Sequence, residues 1–456
     1  MKISKLKYLT LFIVSILTMC YAQFSFGAIS PEEAAKLGTT LTGVGAEKAG
    51  NREGTIPPYA GGLTKPPANF KPGSGVRPDP FAAERPLFSI NAQNMSQYVD
   101  KLTEGTKALM KKYPTYRIDV YKTHRTAAFP DSVIKNTAKN AVTAKTANNG
   151  ISLRDSRAGY PFPIPKNGYE AMWNHLVRYS GRSNEGRVSN WVMDSSGKLT
   201  NTSKFQWWEE YPYYDSDKSR SDADLFEKQR AIWVAPPRMA GQGSMLFDAV
   251  NAYEKQRVAF MYLPGQRRVK LAPEIGYDTP DSSTAGANVF DEVYVFNGSM
   301  DRYDMKLIGK KEMYVPYNCY KAAYEAKSEE LFKPKHLNPD LLRWELHRVW
   351  VVEATLKPGK RHIYPKRRFY LDEDSWAALA GDNYDAQGFL VTINYMHLSP
   401  CYDMLVPSTR FCMTYNTIGN FYAIDFWLGE GGFHRQAKVR LERDWSPASM
   451  AGAGIR

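Results

Sequence analysis

The stretch HRVWVVEATLKPGKRHIYPKRRFYLDEDSW, residues 347–376, decides the fold class of this 456-residue chain. Two runs rich in β-branched and aromatic residues flank Pro358-Gly359, a dipeptide typical of a turn. Apolar and polar side chains alternate along both runs, with the period of a β-strand. The stretch therefore predicts a β-hairpin with one apolar face. That face carries Trp350, Val352, Ala354 and Leu356 in the first strand and Phe369 and Leu371 in the second.

The same pattern recurs along the second half of the chain. Turn signals at Pro264-Gly265, at residues 385–388 and at Gly419-Asn420 each separate two strand-like runs. Helical and strand-like segments do not alternate regularly, which disfavours a doubly wound parallel fold. We predict an α+β protein in which a large antiparallel β-sheet coils into an unclosed half-barrel, with helices covering its concave face.

The segment YPFPIPKNGYEAMWNHLVRY, residues 160–179, predicts an extended arm followed by an amphipathic helix. Asn167 can cap the helix, with Glu170 completing the capping box. Apolar residues, among them Met172 and Trp173, recur at helical spacing behind the cap. Two interpretations stay open: a core helix packed on the sheet, or a helix that closes an apolar cavity.

The start of the chain has the pattern of a cleaved secretory signal. A lysine-containing start precedes an apolar run over residues 8–20, and small residues end at Gly27. Methionine before Cys20 fits a lipoprotein signal poorly, and no later run is apolar enough to span a membrane. We therefore expect a periplasmic protein of the Gram-negative envelope, with no membrane-spanning segment after cleavage.

Five regions are predicted from the composition of the chain and from the spacing of its apolar residues. They are a signal peptide (1–27), a Gly/Pro-rich N-terminal arm (28–85), helical lid segments (86–185), the antiparallel half-barrel (186–445) and a tail (446–456). We expect residues 28–456 to form one structural domain, because the arm has too few apolar residues to build its own core.

Charge and cysteine content limit the partners and the redox chemistry. The formal net charge of +13 suits an anionic surface, although a solvated basic surface explains it as well. We find no nucleic-acid-binding module. Oxidising export would permit one disulfide, for which the spacing of Cys401 and Cys412 favours a bridge across a hairpin, leaving Cys319 free.

Motifs for catalysis are missing. The chain has no nucleophile elbow, no phosphate-binding loop and no dinucleotide fingerprint. Its seven histidines are scattered without metal-ligand spacing. We therefore expect no enzyme activity, no cofactor and no metal.

Several stretches together resemble the bacterial family called domain of unknown function 1329, over residues 30 to at least 400. They are LGTTLTGVGAEKAGNREGTIPPYAGGLT, THRTAAFP, YPFPIPKNGYEAMWNH, LPGQRRVKLAPEIGYD, NGSMDRYDMKLIGKKEMYVPYNCYK and LLRWELHRVWVVEATLKPGKRHIYPKRRFYLDEDSW. The resemblance implies a periplasmic protein with the lipoprotein-carrier fold of the LolA and LolB type. It also implies partnership with resistance-nodulation-division exporters and an outer-membrane protein.

These observations lead to a functional hypothesis: a periplasmic carrier of a lipid or another hydrophobic molecule. The alternatives are a structural adaptor of an envelope transport complex, or a hydrolase acting on an exported lipid or polymer. The predicted hydrophobic groove consists of Phe260, Tyr262, Trp350, Val352, Phe369, Leu371, Val391 and Ile393, with Met172 and Trp173 from the helix. The candidate contacts to a head group or a membrane are Arg267, Arg268, Arg367 and Arg368.

Overall fold

The computed structural model describes residues 28–215, 221–407 and 411–453. The predicted signal peptide and Cys20 lie outside the described residues. The strands are β1 Phe88–Ile90, β2 Ile118–Val120, β3 Lys145–Ala147, β4 Ser152–Arg154, β5 Ser183–Met193, β6 Leu199–Glu210, β7 Leu225–Ala235, β8 Gly243–Ala249, β9 Val258–Leu263, β10 Arg268–Leu271, β11 Tyr303–Pro316, β12 Trp344–Leu356, β13 Lys366–Asp372, β14 Ala378–Tyr384, β15 Leu390–Met396, β16 Cys412–Asn416, β17 Phe421–Trp427 and β18 Phe433–Gln436.

Short helices connect and cover the strands. The α-helices are α1 Pro31–Ala34, α2 Glu104–Lys112, α3 Asp131–Thr143, α4 Gly168–Leu176, α5 Ser328–Leu331 and α6 Ala448–Ala453. A π-helical turn spans Lys321–Glu325, and a longer 3₁₀ helix spans Met95–Lys101. Shorter 3₁₀ turns span Pro212–Tyr214, Pro264–Gln266, Ser282–Thr284, Phe290–Glu292, Met300–Arg302, Pro339–Leu341 and Glu442–Trp445. Across the described ranges, every helix is too short or too polar to cross a membrane.

One 16-stranded sheet organises the molecule, and β3 and β4 form a separate hairpin. The strand order is β1-β2-β12-β13-β14-β15-β16-β17-β5-β6-β7-β8-β9-β10, with β11 paired to β12 and β18 paired to β5. Among the described strands of this sheet every pairing is antiparallel except the short contact of Trp344 with Val120. The path runs from β1 to β10 without returning, so the sheet is unclosed. The predicted fold class is confirmed.

The four predicted turns lie where the sequence places them. Pro264-Gly265 joins β9 to β10, and Pro358-Gly359 joins β12 to β13. Residues 385–388 join β14 to β15, and Gly419-Asn420 joins β16 to β17. These hairpins are local, so their turn chemistry suffices to predict them.

Each face of the sheet is covered by different parts of the chain. We define the inner face by the cross-strand row of Val352, Phe369 and Gly381, and the outer face by the row of Tyr370, Ala380 and Tyr395. The inner face contacts α4 and residues 272–300. In the second of these contacts, the Phe296 ring lies 5.3 Å from the Phe369 ring. The outer face contacts α2, where the hydroxyls of Thr106 and Tyr395 are 2.7 Å apart.

Helix α4 begins at the predicted cap. The Asn167 side-chain oxygen accepts a hydrogen bond from the Glu170 backbone at 3.0 Å. The polar side of this helix is also buried: Asn174 binds the backbone of Phe162, and the His175 ring donates to the Phe296 carbonyl at 2.9 Å. Burial lowers the pKa of His175 to about 3, so this ring stays neutral at physiological pH. The helix is therefore enclosed by the extended residues 160–166 before it and by residues 272–300.

Candidate functional site

The inner face of strands β6–β9 and the segment covering it enclose two small adjoining cavities. The first has a volume of about 80 Å³ and the second about 70 Å³. Arg257 lines both, so we treat them as one divided cleft. The first cavity is lined mainly by apolar side chains, including Phe205, Ala231, Trp233, Leu246, Met261 and Phe426. The second is lined by Trp173, Leu176, Phe226, Ile275 and Met300, together with polar groups.

Arg257 is the charged group between the two cavities. Its guanidinium binds the Asp248 carboxylate through two hydrogen bonds of 2.9 and 2.8 Å. It also donates to the side-chain oxygen of Asn297 at 2.8 Å. Asn297 belongs to the covering segment, so this arginine joins the sheet to the cover across the cleft.

Residues 272–300 form this cover, which we call the inner segment. Its aromatic side chains occupy the inner face, with Tyr294 stacked 5.3 Å from Phe426. An ideal Cβ on Gly381 would lie only 2.7 Å from a methyl carbon of Val295, so the segment and the sheet are in close contact there. Val295 has a φ of 71°, which is strained for a β-branched residue.

Buried acids also hold the inner segment. The Glu292 carboxylate accepts hydrogen bonds from Asn383 at 3.1 Å and from Thr392 at 2.9 Å. Burial raises the pKa of Glu292, although the charge of Arg367 acts in the opposite direction. Asn288 donates to the buried carboxylate of Asp425 at 2.6 Å, and burial raises the pKa of that carboxyl as well.

The structure brings only part of the predicted groove together. Trp350, Val352, Phe369 and Leu371 share the inner face, and Val391 packs beside Val289 and Tyr364. Ile393 instead lies on the outer face beside Gly105 of α2. Phe260 and Tyr262 also lie on the outer face, packed with Trp445 of the last 3₁₀ turn and Met450 of α6. The predicted groove is therefore wrong for Ile393, Phe260 and Tyr262. A bulge between β14 and β15 changes the face on which Ile393 lies, and the register of β9 against β8 places Phe260 and Tyr262 on the outer face.

The two predicted helix residues lie on α4, over the inner face. Trp173 lines the second cavity and donates a hydrogen bond to the Gly150 carbonyl at 2.8 Å. Met172 is fully buried in the main core. The residues that the groove prediction missed include Ala231, Met261 and Arg257. Only Met261 had a signal in the sequence: the β9 run is apolar on both faces, with Ala259 and Met261 on the face opposite to Phe260 and Tyr262.

The four predicted head-group arginines do not form one site. Arg267 and Arg268 are exposed at the β9–β10 turn. Arg367 is fully buried and binds Asn383 and Asp291, whereas Arg368 points to the other face and binds Glu353 at 2.7 Å. Consecutive strand residues point to opposite faces, so this pair is split.

The predicted disulfide is wrong, because the structure does not bond Cys401 to Cys412, and both side chains are buried. Cys412 pairs in the sheet with Met396 on one side and with Asp425 on the other. Cys401 lies in the connection after β15, where its sulfur is 3.6 Å from Nδ1 of His434. The residue that lies opposite Cys412 in the hairpin is thus Met396 and not Cys401. Cys319 also forms no disulfide with any described residue.

A buried polar cluster lies at the end of β13. His347, Asp372 and Asp374 each offer a ligand atom within 4.8 Å of the others, which the sequence spacing did not indicate. Both Asp374 oxygens bind Arg125, at 2.8 and 2.6 Å, so a metal ion would compete with that arginine. Ser375 donates to Asp372 at 2.6 Å. All these groups are buried, so a substrate does not reach them in this conformation.

Comparison with known proteins gives one long match and several distant ones. The uncharacterized protein PA3922 of Pseudomonas aeruginosa is 41% identical over 442 residues, which cover 94% of this chain and 95% of that protein. A putative outer membrane lipoprotein-sorting protein domain from Vibrio parahaemolyticus is 13% identical, with a TM-score of 0.43, and covers 62% of this chain and 98% of its own. A DUF1329 family protein from Desulfovibrio piger has the same identity and TM-score, over 61% of this chain and 95% of its own.

The family model described as "Protein of unknown function (DUF1329)" matches residues 89–451. This match spans most of the chain and includes the whole 16-stranded sheet except the first residue of β1. The chain belongs to the DUF1329 family.

Proposed function

We propose that this chain is an exported binding protein that carries a lipid or another apolar molecule on its inner face. The observation that carries the proposal is the apolar cleft between strands β6–β9 and the inner segment. Binding would draw on the apolar area removed from water, at about 25 cal/mol per Å². No catalytic step is needed for this role.

The cleft in this conformation is too small for such a cargo. Pockets that hold drug-sized ligands have volumes of roughly 300–1,000 Å³. The two cavities here have about 80 and 70 Å³. A lipid chain therefore requires the inner segment to move away from the sheet.

The contacts of the inner segment are consistent with such a movement. The regular structure of the segment consists of short 3₁₀ turns, at Ser282–Thr284 and at Phe290–Glu292. Ala285, Tyr294 and Val295 have positive φ, which costs of order 1–3 kcal/mol each and is relieved on opening. The aromatic rings that leave the sheet would be replaced there by cargo.

A reversible lock tests the movement. In the variant Gly381→Cys with Val295→Cys, an ideal Cβ on residue 381 lies 2.7 Å from the position of a Val295 methyl carbon, so the two new thiols are within reach of a disulfide. We expect the oxidised double variant to lose uptake of a fluorescent fatty acid or phospholipid, and reduction to restore it. Each single variant is the matched control and keeps its uptake after oxidation.

Uptake by the oxidised, locked protein at the level of its reduced form would contradict the proposed site. The test depends on a difference between two states of one variant, so a general loss of stability does not produce the expected result. Mass spectrometry of the cross-linked peptide confirms that the lock has formed.

A structural adaptor is the second candidate, and the tightly packed inner face favours it. In that role the resistance-nodulation-division exporter and outer-membrane protein implied by the family resemblance would bind the closed protein. The lock separates the two roles: a carrier fails when locked, whereas an adaptor keeps its complex in a pull-down with both partners.

A further inference from the structure

Three neighbouring hairpins end at the same edge of the sheet, and each turn exposes a large apolar side chain. Ile363, Phe389 and Ile418 are 50%, 69% and 68% exposed, respectively. They lie on the β12–β13, β14–β15 and β16–β17 turns. The last two turns touch, because the Thr417 backbone donates to the Val391 carbonyl at 2.9 Å. We call this edge the hairpin rim.

The strand register places further turns on the hairpin rim. Tyr422 of β17 pairs with Met193, so the β5–β6 turn follows at the same edge. Gly243, at the start of β8, pairs with Tyr262, near the end of β9. The β7–β8 and β9–β10 turns therefore also lie on the hairpin rim. Helix α2 also ends there, since the Lys112 side chain donates to the Thr417 carbonyl.

Basic residues outnumber acidic ones on the hairpin rim. The six turns and the end of α2 carry Lys111, Lys112, Lys198, Arg238, Arg267, Lys357, Lys360 and Arg361, against Asp194 and Asp385. Both aspartates accept hydrogen bonds from the backbone of their own turns. Lys360 lies 3.8 Å from Asp301, a loose pair, and the Lys357 pair with Asp304 is longer still at 4.0 Å. The rim therefore presents positive charge around its apolar side chains.

We propose that the hairpin rim docks on an anionic phospholipid bilayer. Ile363, Phe389 and Ile418 enter the boundary between head groups and acyl chains, while the lysines and arginines meet lipid phosphates. Exposed apolar tips surrounded by basic groups match both properties of such a surface, where each basic residue contributes about 1 kcal/mol. This docking does not depend on the cleft.

Vesicle flotation tests the docking surface with the mature, full-length protein. We expect binding to vesicles that contain phosphatidylglycerol, loss of that binding in high salt, and little binding to pure phosphatidylcholine. The double variant Phe389→Ser, Ile418→Ser is expected to bind about tenfold more weakly. Lys112→Gln and Arg361→Gln are each expected to weaken binding about fivefold.

Leu87→Ser is the matched control. Leu87 is 66% exposed, and its backbone donates to Val120, whose strand meets β12 at Trp344, the opposite end of the sheet. This variant should bind vesicles like the original protein. The proposal is overturned if phosphatidylglycerol vesicles do not bind the protein, or if Leu87→Ser weakens binding as much as the rim variant does. Circular dichroism shows that each variant is folded.

Discussion

Asp372 is a buried carboxyl without a cationic hydrogen-bond partner among the described residues. Its Oδ2 accepts from the Ser375 backbone and hydroxyl and from Tyr317, whereas its Oδ1 has no hydrogen-bond partner. Burial, reinforced by the neighbouring charge of Asp374, raises its pKa from 3.8 to about 6. The folded protein therefore binds a proton at Asp372 more tightly than the unfolded chain does.

The sign of the resulting pH dependence follows from this shift. Below about pH 4 the carboxyl is protonated in both states and costs nothing. As the pH rises from about 4 to about 6, the unfolded chain loses its proton first, and the free energy of unfolding falls by roughly 2–3 kcal/mol. Asp372→Asn removes this penalty, since the amide keeps the acceptor for Ser375 and places a donor where Oδ1 has no partner.

We therefore expect Asp372→Asn to raise the free energy of unfolding by about 1–2 kcal/mol at about pH 7.5, and by less at about pH 5. Urea denaturation of the variant and the original protein at the two pH values measures this change in the free energy of unfolding. Asp304→Asn, whose side chain is 69% exposed, is the control for a lost surface charge. An equal loss of stability at both pH values would show that the Asp372 charge is needed in the fold, as it would be for a bound cation.

Among the elements, α2 shows how closely a helix approaches the outer face. An ideal Cβ on Gly105 would lie 2.5 Å from the Asp382 carboxylate and 2.5 Å from a methyl carbon of Ile393. The Gly105 backbone also donates to that carboxylate at 2.9 Å. A larger residue must push the helix away from the sheet.

Gly105→Ala is accordingly expected to lower the free energy of unfolding by about 1–3 kcal/mol, because overpacking shifts the backbone. Gly265→Ala is the control, since a Cβ there meets no atom within 4 Å, and its effect should stay within about 0.5 kcal/mol. Chemical denaturation measures both variants. Equal effects at the two positions would mean that the contact of α2 with the sheet is looser than the structure shows.

The elements also show what could be predicted from sequence. The hairpins and the Asn167 cap depend on neighbouring residues, and those predictions are confirmed. Within the predicted helical lid segments over 86–185, helix α3 ends at Thr143, because Asn148-Asn149-Gly150 turns a small hairpin between β3 and β4. The faces of β9 and β15 could not be assigned, since their cover comes from the tail and from α2, both distant in the chain.

At the scale of the whole molecule, the sheet places β5 beside β17, which no local pattern in the sequence predicts. This pairing brings the inner segment over the strands that line the cleft, through the hydrogen bond of Asn190 to Ser283 at 2.9 Å. Residues 86–185 supply β1 and β2 as well as helices, and the tail supplies α6. Residues 86–185, the sheet and the tail therefore depend on one another, in keeping with our proposal of a single domain from 28 to 456.

The carrier proposal is a statement about the whole molecule, and native mass spectrometry tests it most directly. The protein would be purified gently from the cells that produce it, measured intact, and then extracted with organic solvent. We expect an added mass that the solvent removes, or the uptake of lipid when the extracted protein is incubated with it. A bare protein mass together with no uptake of any lipid offered would contradict the account and leave the adaptor role.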